Sequence, residues 1–311
     1  GAPQGSVSRD AVYAVKIADT KSMNKAAAEL YVSQPALSST IRDLEEELNI
    51  ELFIRTNRGI VITAEGDEFL SYARQMVELN QMIEDRYINN EKKKNKFSVS
   101  MQHYSFAVEA FIELAKEIRL DDFELAVHET RTNEVIEFVR DYRSELGILY
   151  LNEFNRKALQ KIFSENGLEF TELFDCDVFV YLSNEHPLAG KEKIAFEELK
   201  DYPCLSFEQG DNSSFYLAEE ILSTNEYPQV IKANDRATML NLMIGLNGYT
   251  LCSGIICEEL NGSDCIAVPF HADEQNPNSL MEIGYVTRKN TMLSQMGERY
   301  IHYIKQYLNI E

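Results

Sequence analysis

Small polar side chains and a cation come together near the start of the chain, in the segment KAAAELYVSQPALSSTIRDLEEEL at residues 25–48. Short hydroxyl and amide groups can approach the base edges of duplex DNA closely, and an arginine can donate to a phosphate. The residues that this segment offers for such contacts are Ser33, Gln34, Pro35, Ser38, Ser39 and Arg42. The chemistry they favour is recognition of nucleic acid in the major groove.

A helix must present these residues, and the apolar side chains of the same segment predict it. They recur at intervals of four, three and four, which places one stripe of an α-helix against a core. The stripe consists of Leu37, Ile41, Leu44 and Leu48. Ser33 can cap the helix and Pro35 suits its first turn, so we expect the helix to begin at about Ser33. Asn24 is expected to cap a shorter helix that ends near Leu30, before a tight turn.

This pair of helices has a second interpretation. An ordinary helical hairpin with a solvated polar face would carry the same residues, and helix-turn-helix patterns match many unrelated chains. The next segment, ELFIRTNRGIVITAEG at residues 51–66, favours the DNA-binding interpretation. It predicts two strands joined by a turn at 57–59, with Arg55 and Arg58 near the tip. Such a hairpin after two helices is the wing of a winged helix-turn-helix.

Residues 11–66 resemble the winged helix-turn-helix of LysR-type transcriptional regulators, and SMNKAAAELYVSQPALSSTIRDLEEELNIELFIRTNRGIVITAEG carries the resemblance. The contacts it implies are base-edge and sugar-phosphate contacts by Gln34, Pro35 and Ser38, and backbone or minor-groove contacts by Arg55 and Arg58. Many members have arginine after the serine of PALS, where this chain has Ser39. The operator preference of relatives therefore does not carry over to this chain.

Charge is distributed unevenly along the 311 residues, whose formal net charge is −21. Residues 1–96 hold 13 Lys and Arg against 15 Asp and Glu, whereas residues 97–311 hold 17 against 36. Electrostatic fields are screened within about 8 to 10 Å at physiological salt, so the acidic second part does not prevent DNA binding by the first. The small number of cations favours binding as a homodimer or homotetramer, because each protomer neutralises few phosphates.

Residues 64–90 predict a long linker helix. Its seam residues alternate spacings of four and three, and they are Phe69, Ala73, Met76, Asn80, Ile83 and Tyr87. Such a seam is typical of a dimerisation helix in which Asn80 fixes the register, although a helix packed on its own domain has the same pattern. Residues 91–96, EKKKNK, are expected to form a charged hinge. The DNA-binding domain would then span residues 1–63.

From residue 97 onward, strand and helix patterns alternate in the way typical of an α/β fold. FSVSMQ, FELAVHE and LGILYL predict strands separated by helices, which indicates a parallel sheet covered by helices. A second round from CDVFVYLS to CIAVPF includes a predicted helix at 213–225, and MEIGYVT with a closing helix returns to the first subdomain. Residues 97–311 thus resemble the two-lobed, periplasmic-binding-protein-like effector domain of the LysR-type family. Lobe I would span about 97–153 and 271–311, and lobe II about 154–270, with crossings near 151–156 and 270.

Ligands of open parallel sheets bind beyond the carboxyl ends of the strands, where helix N-termini supply donors. The residues expected at those ends are Gln102, His103, Tyr104, Ser105, Thr130, Tyr150, Ser206, Phe207, Gln209 and Thr238. We expect them to line one cleft between the lobes and to bind a small-molecule effector. Gln102 and Gln209 occupy matching places in the two lobes, and an amide can both donate to and accept from a polar ligand. Ser105 and Thr238 are also suited to capping helices.

The motifs of other function classes do not occur in the sequence. It contains no G-x-S-x-G, H-E-x-x-H, G-x-x-x-x-G-K or strand-linked G-x-G-x-x-G, so neither an enzyme nor a cofactor or metal site is predicted. A solute-binding receptor with the same two lobes is the alternative for residues 97–311, but such a receptor would be exported and would lack a winged helix. The five cysteines form no C-x-x-C pair, and a thiol redox-sensing regulator is a minor alternative.

Location and partners follow from the same residues. The sequence has no apolar run of about 18 residues and no signal peptide, which predicts a cytoplasmic protein without a membrane segment. The expected partners are double-stranded promoter DNA, a small-molecule effector and RNA polymerase.

Overall fold

The computed structural model describes residues 6–56, 59–87, 95–118, 123–210, 214–276 and 280–310. The chain divides into two compact units, residues 1–93 and residues 94–311. Each unit has an apolar core of its own.

The first unit is mainly helical and carries one β-hairpin. Its elements are α1 (Ser6–Thr20), α2 (Met23–Glu29), α3 (Gln34–Leu48), β1 (Phe53–Thr56), β2 (Gly59–Ile62) and α4 (Ala64–Tyr87). The predicted stripe on α3 is confirmed, because Leu37, Ile41 and Leu44 are buried in one core with Ala14 of α1 and Ala26 of α2. The small side chains of α2 let the helices approach closely, so the polar face of α3 remains outside.

The predicted N-cap of α3 is confirmed, and the predicted N-cap of α2 is wrong. Ser33 caps α3 as expected, since its hydroxyl accepts from the Ala36 N–H at 3.3 Å. The cap of α2 is Ser22, whose hydroxyl accepts from the Lys25 N–H at 3.4 Å, and not Asn24. An N-cap needs extended backbone, which Ser22 has with φ −153°, whereas Asn24 already lies inside the helix.

The hairpin is antiparallel and is anchored at its turn. β1 and β2 pair from Phe53 with Ile62 to Thr56 with Gly59. Gly59 has φ +121°, and a Cβ at this position would lie 3.0 Å from the Lys21 carbonyl oxygen. Glycine is therefore required where the hairpin approaches the end of α1.

The predicted seam of α4 begins inside its own unit. Helix α4 packs against α1, and Ala73 is buried there. Farther along the helix Met76 is 41% exposed and Asn80 is exposed. The side chains of Ile83 and Tyr87 lie outside the described residues. The packing of the seam thus changes along the helix, from buried at Ala73 to solvent-facing at Met76.

The second unit consists of two α/β lobes, each built on one sheet. Its first elements are β3 (Asn95–Met101), α5 (Ser105–Glu117), β4 (Phe123–Glu129), α6 (Thr132–Arg140), β5 (Leu146–Leu151), α7 (Arg156–Glu165) and β6 (Leu168–Cys176). The middle elements are β7 (Phe179–Ser183), β8 (Ile194–Ala195), β9 (Cys204–Phe207), β10 (Val230–Ala233), α8 (Arg236–Leu246), β11 (Tyr249–Cys252), α9 (Glu258–Asn261) and β12 (Cys265–His271), with single 3₁₀ turns at Phe196–Leu199 and Phe215–Leu217. The last elements are β13 (Met281–Arg288) and α10 (Gln295–Leu308).

The two sheets confirm the predicted α/β architecture. The lobe I sheet has the order β4-β3-β5-β13-β6, in which β3 is parallel to β4 and β5, while β13 is antiparallel to its neighbours. The lobe II sheet has the order β10-β9-β11-β7-β12-β8, in which β9 is parallel to β10 and β11. The carboxyl ends of the parallel strands in each sheet are followed by the segments that meet between the lobes.

The boundary between the lobes differs from the predicted one. Strand β6 pairs along β13 from Leu168 to Cys176, so residues up to 176 belong to lobe I. The chain therefore passes between the lobes at about 176–179 and 271–281, and the crossing expected at 151–156 is wrong. β6 is an edge strand with an irregular burial pattern and several acidic residues, which explains why periodicity did not predict it.

The helix predicted at 213–225 is also wrong within the described residues 214–225. Only Phe215–Leu217 forms a 3₁₀ turn, and the chain then runs irregularly. The carbonyl oxygens of Leu217 and Ala218 accept hydrogen bonds from Thr132 Oγ1 at 2.7 Å and Tyr150 Oη at 3.0 Å. These bonds to lobe I side chains replace the bonds that a helix would supply.

The predicted hinge falls largely outside the described residues. Residues 88–94 lie outside the described residues, while residues 95 and 96 of the predicted hinge belong to β3. In the described part of the chain, no helix combines the length and the apolar composition that crossing a membrane requires.

Candidate functional site

One hydroxyl joins the helix-turn-helix to the hairpin. Ser38 Oγ accepts hydrogen bonds from Gln34 Nε2 at 2.8 Å and from Arg55 Nη2 at 2.9 Å. The carboxylate of Glu45 on α3 also accepts from the Leu52 N–H at 2.7 Å, just before β1. Together these contacts fix the hairpin against α3. The guanidinium of Arg55 is thereby held beside the amino-terminal half of the helix.

Most of the residues predicted to contact DNA lie on the surface. The exposed ones are Asn24, Ser33, Pro35, Ser39, Arg42 and Arg55, and Gln34 is half-buried. Ser38 differs from the expectation, because it is only 7% exposed and its hydroxyl oxygen is engaged by two donors. Its role in this geometry is to position Gln34 and Arg55. Arg58 lies outside the described residues.

The turn between α2 and α3 presents an aromatic side chain that sequence reasoning missed. Tyr31 is 97% exposed, and its backbone is in the left-handed region with φ 55°. A positive φ is uncommon for a bulky residue, and here it occurs in the turn two residues before Ser33, the cap of α3. The signal in the sequence was its position directly before the second helix.

One of the amides predicted to line the cleft is fully buried, and its hydrogen bonds stay within lobe I. Gln102 follows β3, and its Nε2 donates to Thr132 Oγ1 at 2.6 Å. Its Oε1 accepts from Tyr104 Oη at 3.0 Å and from the Tyr150 N–H at 3.3 Å. Gln102 is 1% exposed, and its amide groups bond to other protein groups. In this arrangement Gln102 is closed off from solvent, and its contact with an effector stays a prediction.

A segment of lobe II, residues 215–220, reaches across to lobe I and is called the strap below. Its Leu217 and Ala218 carbonyls accept from lobe I, as described above. The carboxylate of Glu219 lies 2.8 Å from His103 Nδ1 and accepts from the His103 N–H at 3.1 Å through the same Oε2. The strap thus occupies part of the cleft in which the effector was expected.

Gln209 connects the strap to both lobes. Its Nε2 donates to Glu219 Oε1 at 2.9 Å, and its Oε1 accepts from the Thr132 N–H at 3.0 Å. His103 stacks face to face on Phe207, with ring centroids 3.6 Å apart. The predicted residues His103, Phe207 and Gln209 are therefore brought together, and Glu219 is the group that they surround.

Glu220 is a second buried carboxyl on the strap. Its Oε1 accepts from the Phe207 N–H at 2.8 Å. Burial, and then the neighbouring Glu219 charge, raise the pKa of Glu220 to about 8. Burial therefore favours the uncharged form of this carboxyl.

Two ion pairs cross the cleft with opposite polarity. Arg131 of lobe I pairs with Glu208 of lobe II at 3.3 Å, and Glu129 of lobe I pairs with Arg236 of lobe II at 3.0 Å. Both pairs are partly solvated, so each is expected to contribute about 1 kcal/mol or less to the contact between the lobes. Neither cation was selected from the sequence.

Cavities lie on either side of the strap. One of about 70 Å³ is mostly apolar and is bordered by His103, Phe207 and Glu219. Another of about 410 Å³ is bordered by Ser206, Gln209 and Glu220. The first cavity leaves space for a small molecule between the lobes, next to His103 and Phe207, whereas the second is lined by lobe II residues alone.

Three of the residues predicted to bind the effector have other contacts or lie on the surface. Ser105 is buried, and its hydroxyl accepts from the Cys257 N–H at 2.9 Å. Thr130 donates to Glu134 within lobe I. Thr238 is exposed and follows Asp235, which caps α8. Neither Ser105 nor Thr238 caps a helix through its hydroxyl, so the capping alternative is wrong for both.

Family comparisons match both units. Residues 8–67 match the family described as "Bacterial regulatory helix-turn-helix protein, lysR family". Residues 103–309 match the family described as "LysR substrate binding domain". The chain belongs to the LysR family. It is a DNA-binding transcriptional regulator whose second unit is the effector-binding domain.

Individual relatives of this LysR-type regulator match it over nearly its whole length. The uncharacterized HTH-type transcriptional regulator YbhD of Escherichia coli is 24% identical over 294 residues, covering 92% of this chain and 87% of that protein. A full-length OxyR variant from Pseudomonas aeruginosa has a TM-score of 0.60 at 18% identity, covering 95% of this chain and 93% of that one. CbnR in complex with its target DNA has a TM-score of 0.53 at 16% identity, covering 96% and 99%. At these identities the two structures establish the fold.

The cysteines of the LysR-type regulator do not favour the redox alternative. All five are free, and burial raises the pKa of each thiol, to about 12 for Cys176, Cys204 and Cys252 and to about 11 for Cys265. The reactive form of a cysteine is the thiolate, which a raised pKa disfavours. The receptor alternative is not favoured either, because the first unit matches the regulatory helix-turn-helix family.

One carboxylate cluster in the described part of the regulator has the spacing of a metal site. It consists of Glu172, Asp175 and Glu282, of which the first two are exposed. Arg156 already pairs with Glu282, so a cation is present beside the cluster. Exposed acidic groups with such a partner need no metal ion.

Sequence reasoning about this regulator missed the strap. The acids Glu219 and Glu220 lie in SFYLAEEIL, within the segment 213–225 for which the sequence predicts a helix. Their actual partners, His103 and Phe207, are more than ten residues away in sequence. No local signal distinguishes an acid that enters a cleft from one that remains in water.

Proposed function

We propose that this regulator binds operator DNA through α3 and the hairpin, and that a small effector bound between the lobes changes that binding. The observation that carries the proposal is the set of polar contacts between the lobes, centred on the strap and bordered by cavities. A ligand that enters the cavity beside His103 and Glu219, which both lobes border, would rearrange contacts that join lobe I to lobe II. Its affinity will therefore differ between lobe arrangements, which is the condition for a population shift.

The DNA contacts in this proposal come from the exposed face of α3. Gln34, Pro35 and Ser39 are short enough to approach base edges, while Arg42 and Arg55 can donate to phosphates. The support for Arg55 is its hydrogen bond to Ser38, which places a cation beside the helix. Arg58 at the tip of the hairpin remains a predicted backbone contact.

The working assembly in this proposal is a homodimer or homotetramer. Helix α4 carries apolar side chains that its own unit leaves exposed, with Tyr72 at 61% and Met76 at 41%. A second copy of α4 would cover them, and Asn80 would then lie in the contact and fix its register. Two winged domains would reach half-sites one or more helical turns apart. A change in lobe arrangement would alter their spacing and the bend of the DNA.

We also infer that the protein acts in the cytoplasm without catalysing a reaction, and that RNA polymerase reads its effect at the promoter. The homologues are transcriptional regulators, which supports this inference.

The experiment that tests the DNA surface is a gel shift with the DNA adjacent to the gene, repeated over a series of salt concentrations. Replacing Arg42 by alanine is expected to lower the slope of log K against log salt by about 1, because one phosphate contact is lost. The matched control is Lys161→Ala, which removes an exposed cation from the second unit. Equal salt slopes for both variants and the wild type would contradict the proposed surface.

Footprinting tests the effector response. A metabolite panel is first screened by thermal shift, because a ligand of the folded state raises the unfolding midpoint. Footprints of the wild-type protein with and without the hit are expected to differ in protection or in bending. Identical footprints would exclude coupling between the cleft and the DNA.

A further inference from the structure

The donors around Glu219 form a receptor for a carboxylate. Three N–H groups converge on its two oxygens, with His103 N at 3.1 Å and Nδ1 at 2.8 Å from Oε2, and Gln209 Nε2 at 2.9 Å from Oε1. A carboxylate only accepts hydrogen bonds, so the contact between His103 Nδ1 and Glu219 Oε2 is a hydrogen bond in the tautomer that carries a proton on Nδ1. The side chains of Glu219 and His103 are 7% and 5% exposed, which makes each of these bonds largely free of competing water.

The receptor opens onto an apolar cavity. The cavity of about 70 Å³ that borders His103 and Glu219 is otherwise walled mainly by apolar side chains, including Met239, Leu240, Met243, Leu251 and Ile255. Removing the Glu219 side chain would extend this space up to the three donors. A compact ligand with a carboxylate at one end and a branched apolar body would then fill both parts.

The groups around this cavity suit a ligand that carries a single negative charge. Glu220 borders the same cavity, and burial raises the pKa of its carboxyl, which favours the uncharged form. Arg236 also borders the cavity, but it is already paired with Glu129 at 3.0 Å. A monocarboxylate would therefore place its one charge on the three donors, whereas a dicarboxylate would bury a second charge in an apolar cavity.

The strap supplies Glu219 as a tethered competitor. The flanking strap residues remain attached to lobe I through Leu217 and Ala218, and to lobe II through Glu220. A group held on such a short tether has an effective concentration of about millimolar or higher. A free carboxylate must exceed that concentration, or make additional apolar contacts, to displace Glu219.

We propose that Glu219 is the built-in occupant of a carboxylate-binding site between the lobes, and that small monocarboxylates with an apolar body bind there by displacing it. This inference rests on the proposed effector function and assigns the ligand class to it. Displacement would release one of the contacts by which the strap joins the lobes.

Isobutyrate is the probe, and isobutyramide is its uncharged counterpart of nearly the same shape. Isothermal titration of the full-length protein is expected to show about tenfold or greater tightening for isobutyrate in Glu219→Ala, with no such gain for isobutyramide. Glu219→Gln, which keeps the volume of the side chain, is expected to shift in the same direction. Glu226→Ala, which removes an exposed acid between the strap and β10, is expected to bind like the wild type.

The donors are tested in the double variant Glu219→Ala/Gln209→Ala, in which the gain should fall because one donor is missing. Equal isobutyrate affinity in the wild type and both Glu219 variants would overturn the inference, as would equal binding of the amide or an undiminished gain in the double variant. Circular dichroism confirms that each variant is folded. If the wild-type footprint still responds to the screened metabolite, such a result refutes the Glu219 site alone, and the proposed effector function stands.

Discussion

Replacing Glu220 by glutamine should change how the stability of the protein depends on pH. Glu220 is buried on the strap, and its Oε1 accepts from the Phe207 N–H at 2.8 Å. Glutamine has the same shape and can keep this acceptor, but it does not titrate. The substitution therefore separates the protonation of the carboxyl from its packing.

The magnitude follows from the shift in the pKa of Glu220, which rises from 4.5 to about 8 mainly through burial. A raised pKa means that the folded state holds a proton that the unfolded state releases. The stabilisation is fully present below the unfolded pKa and is lost as the pH rises through the folded pKa. At 1.36 kcal/mol for each pH unit, the loss between these limits is roughly 4 to 5 kcal/mol at most.

Urea unfolding of the wild type and Glu220→Gln across this pH range measures the effect. The free energy of unfolding of the wild type, relative to the variant, is expected to fall by about 1 kcal/mol per pH unit between about pH 5 and pH 8. Glu226→Gln, which changes an exposed acid nearby in the chain, should run parallel to the wild type. A difference between the wild type and Glu220→Gln that stays constant with pH would refute the assignment of a buried, protonated carboxyl.

Two further predictions concern Gln102 and Ser38, which the sequence predicts to contact a ligand or DNA and which are buried in the structure. Gln102→Ala should lower the free energy of unfolding by about 1 to 3 kcal/mol in urea titrations, because Tyr150 N–H and Thr132 lose a buried partner; an unchanged stability would mean that Gln102 is not part of the framework. Ser38→Ala should weaken operator binding by about 0.5 to 1.5 kcal/mol in gel shifts, because Arg55 loses its support; unchanged binding would separate Ser38 from the DNA surface.

Elements with strong local signals were predicted closely. The strand FELAVHE has the bounds expected from the sequence, and helix α8 (Arg236–Leu246) has a cap from the local sequence at each end. The helix begins after Asp235, whose carboxylate accepts from the Thr238 N–H at 2.8 Å, and ends at Asn247 in the left-handed conformation. Caps of this kind act over a few residues, so the sequence contains all the information that places them.

The errors concern contacts between distant residues. Residues 156–176 were assigned to lobe II, yet β6 pairs with β13 more than a hundred residues later. The strap was predicted to be helical, and its conformation depends on Thr132 and Tyr150 of the other lobe. Helix periodicity reports which face of a segment is apolar, but it does not report which polar groups across a cleft compete for its backbone.

The cleft shows why its position was predictable and the roles of its residues were not. Strand ends and helix starts identified His103 and Gln209, which both bond to Glu219 between the lobes, and Gln102, which bonds to Thr132 within lobe I. The property that suits an amide to bind a polar ligand, donation and acceptance at one site, suits it equally to join two lobes. In this chain Gln102 is entirely committed to the framework, while Gln209 still faces a group, Glu219, that a ligand could replace. A cleft held closed by its own polar contacts responds to a ligand only by exchanging those contacts, so the residues that position the lobes and those that sense the effector must overlap.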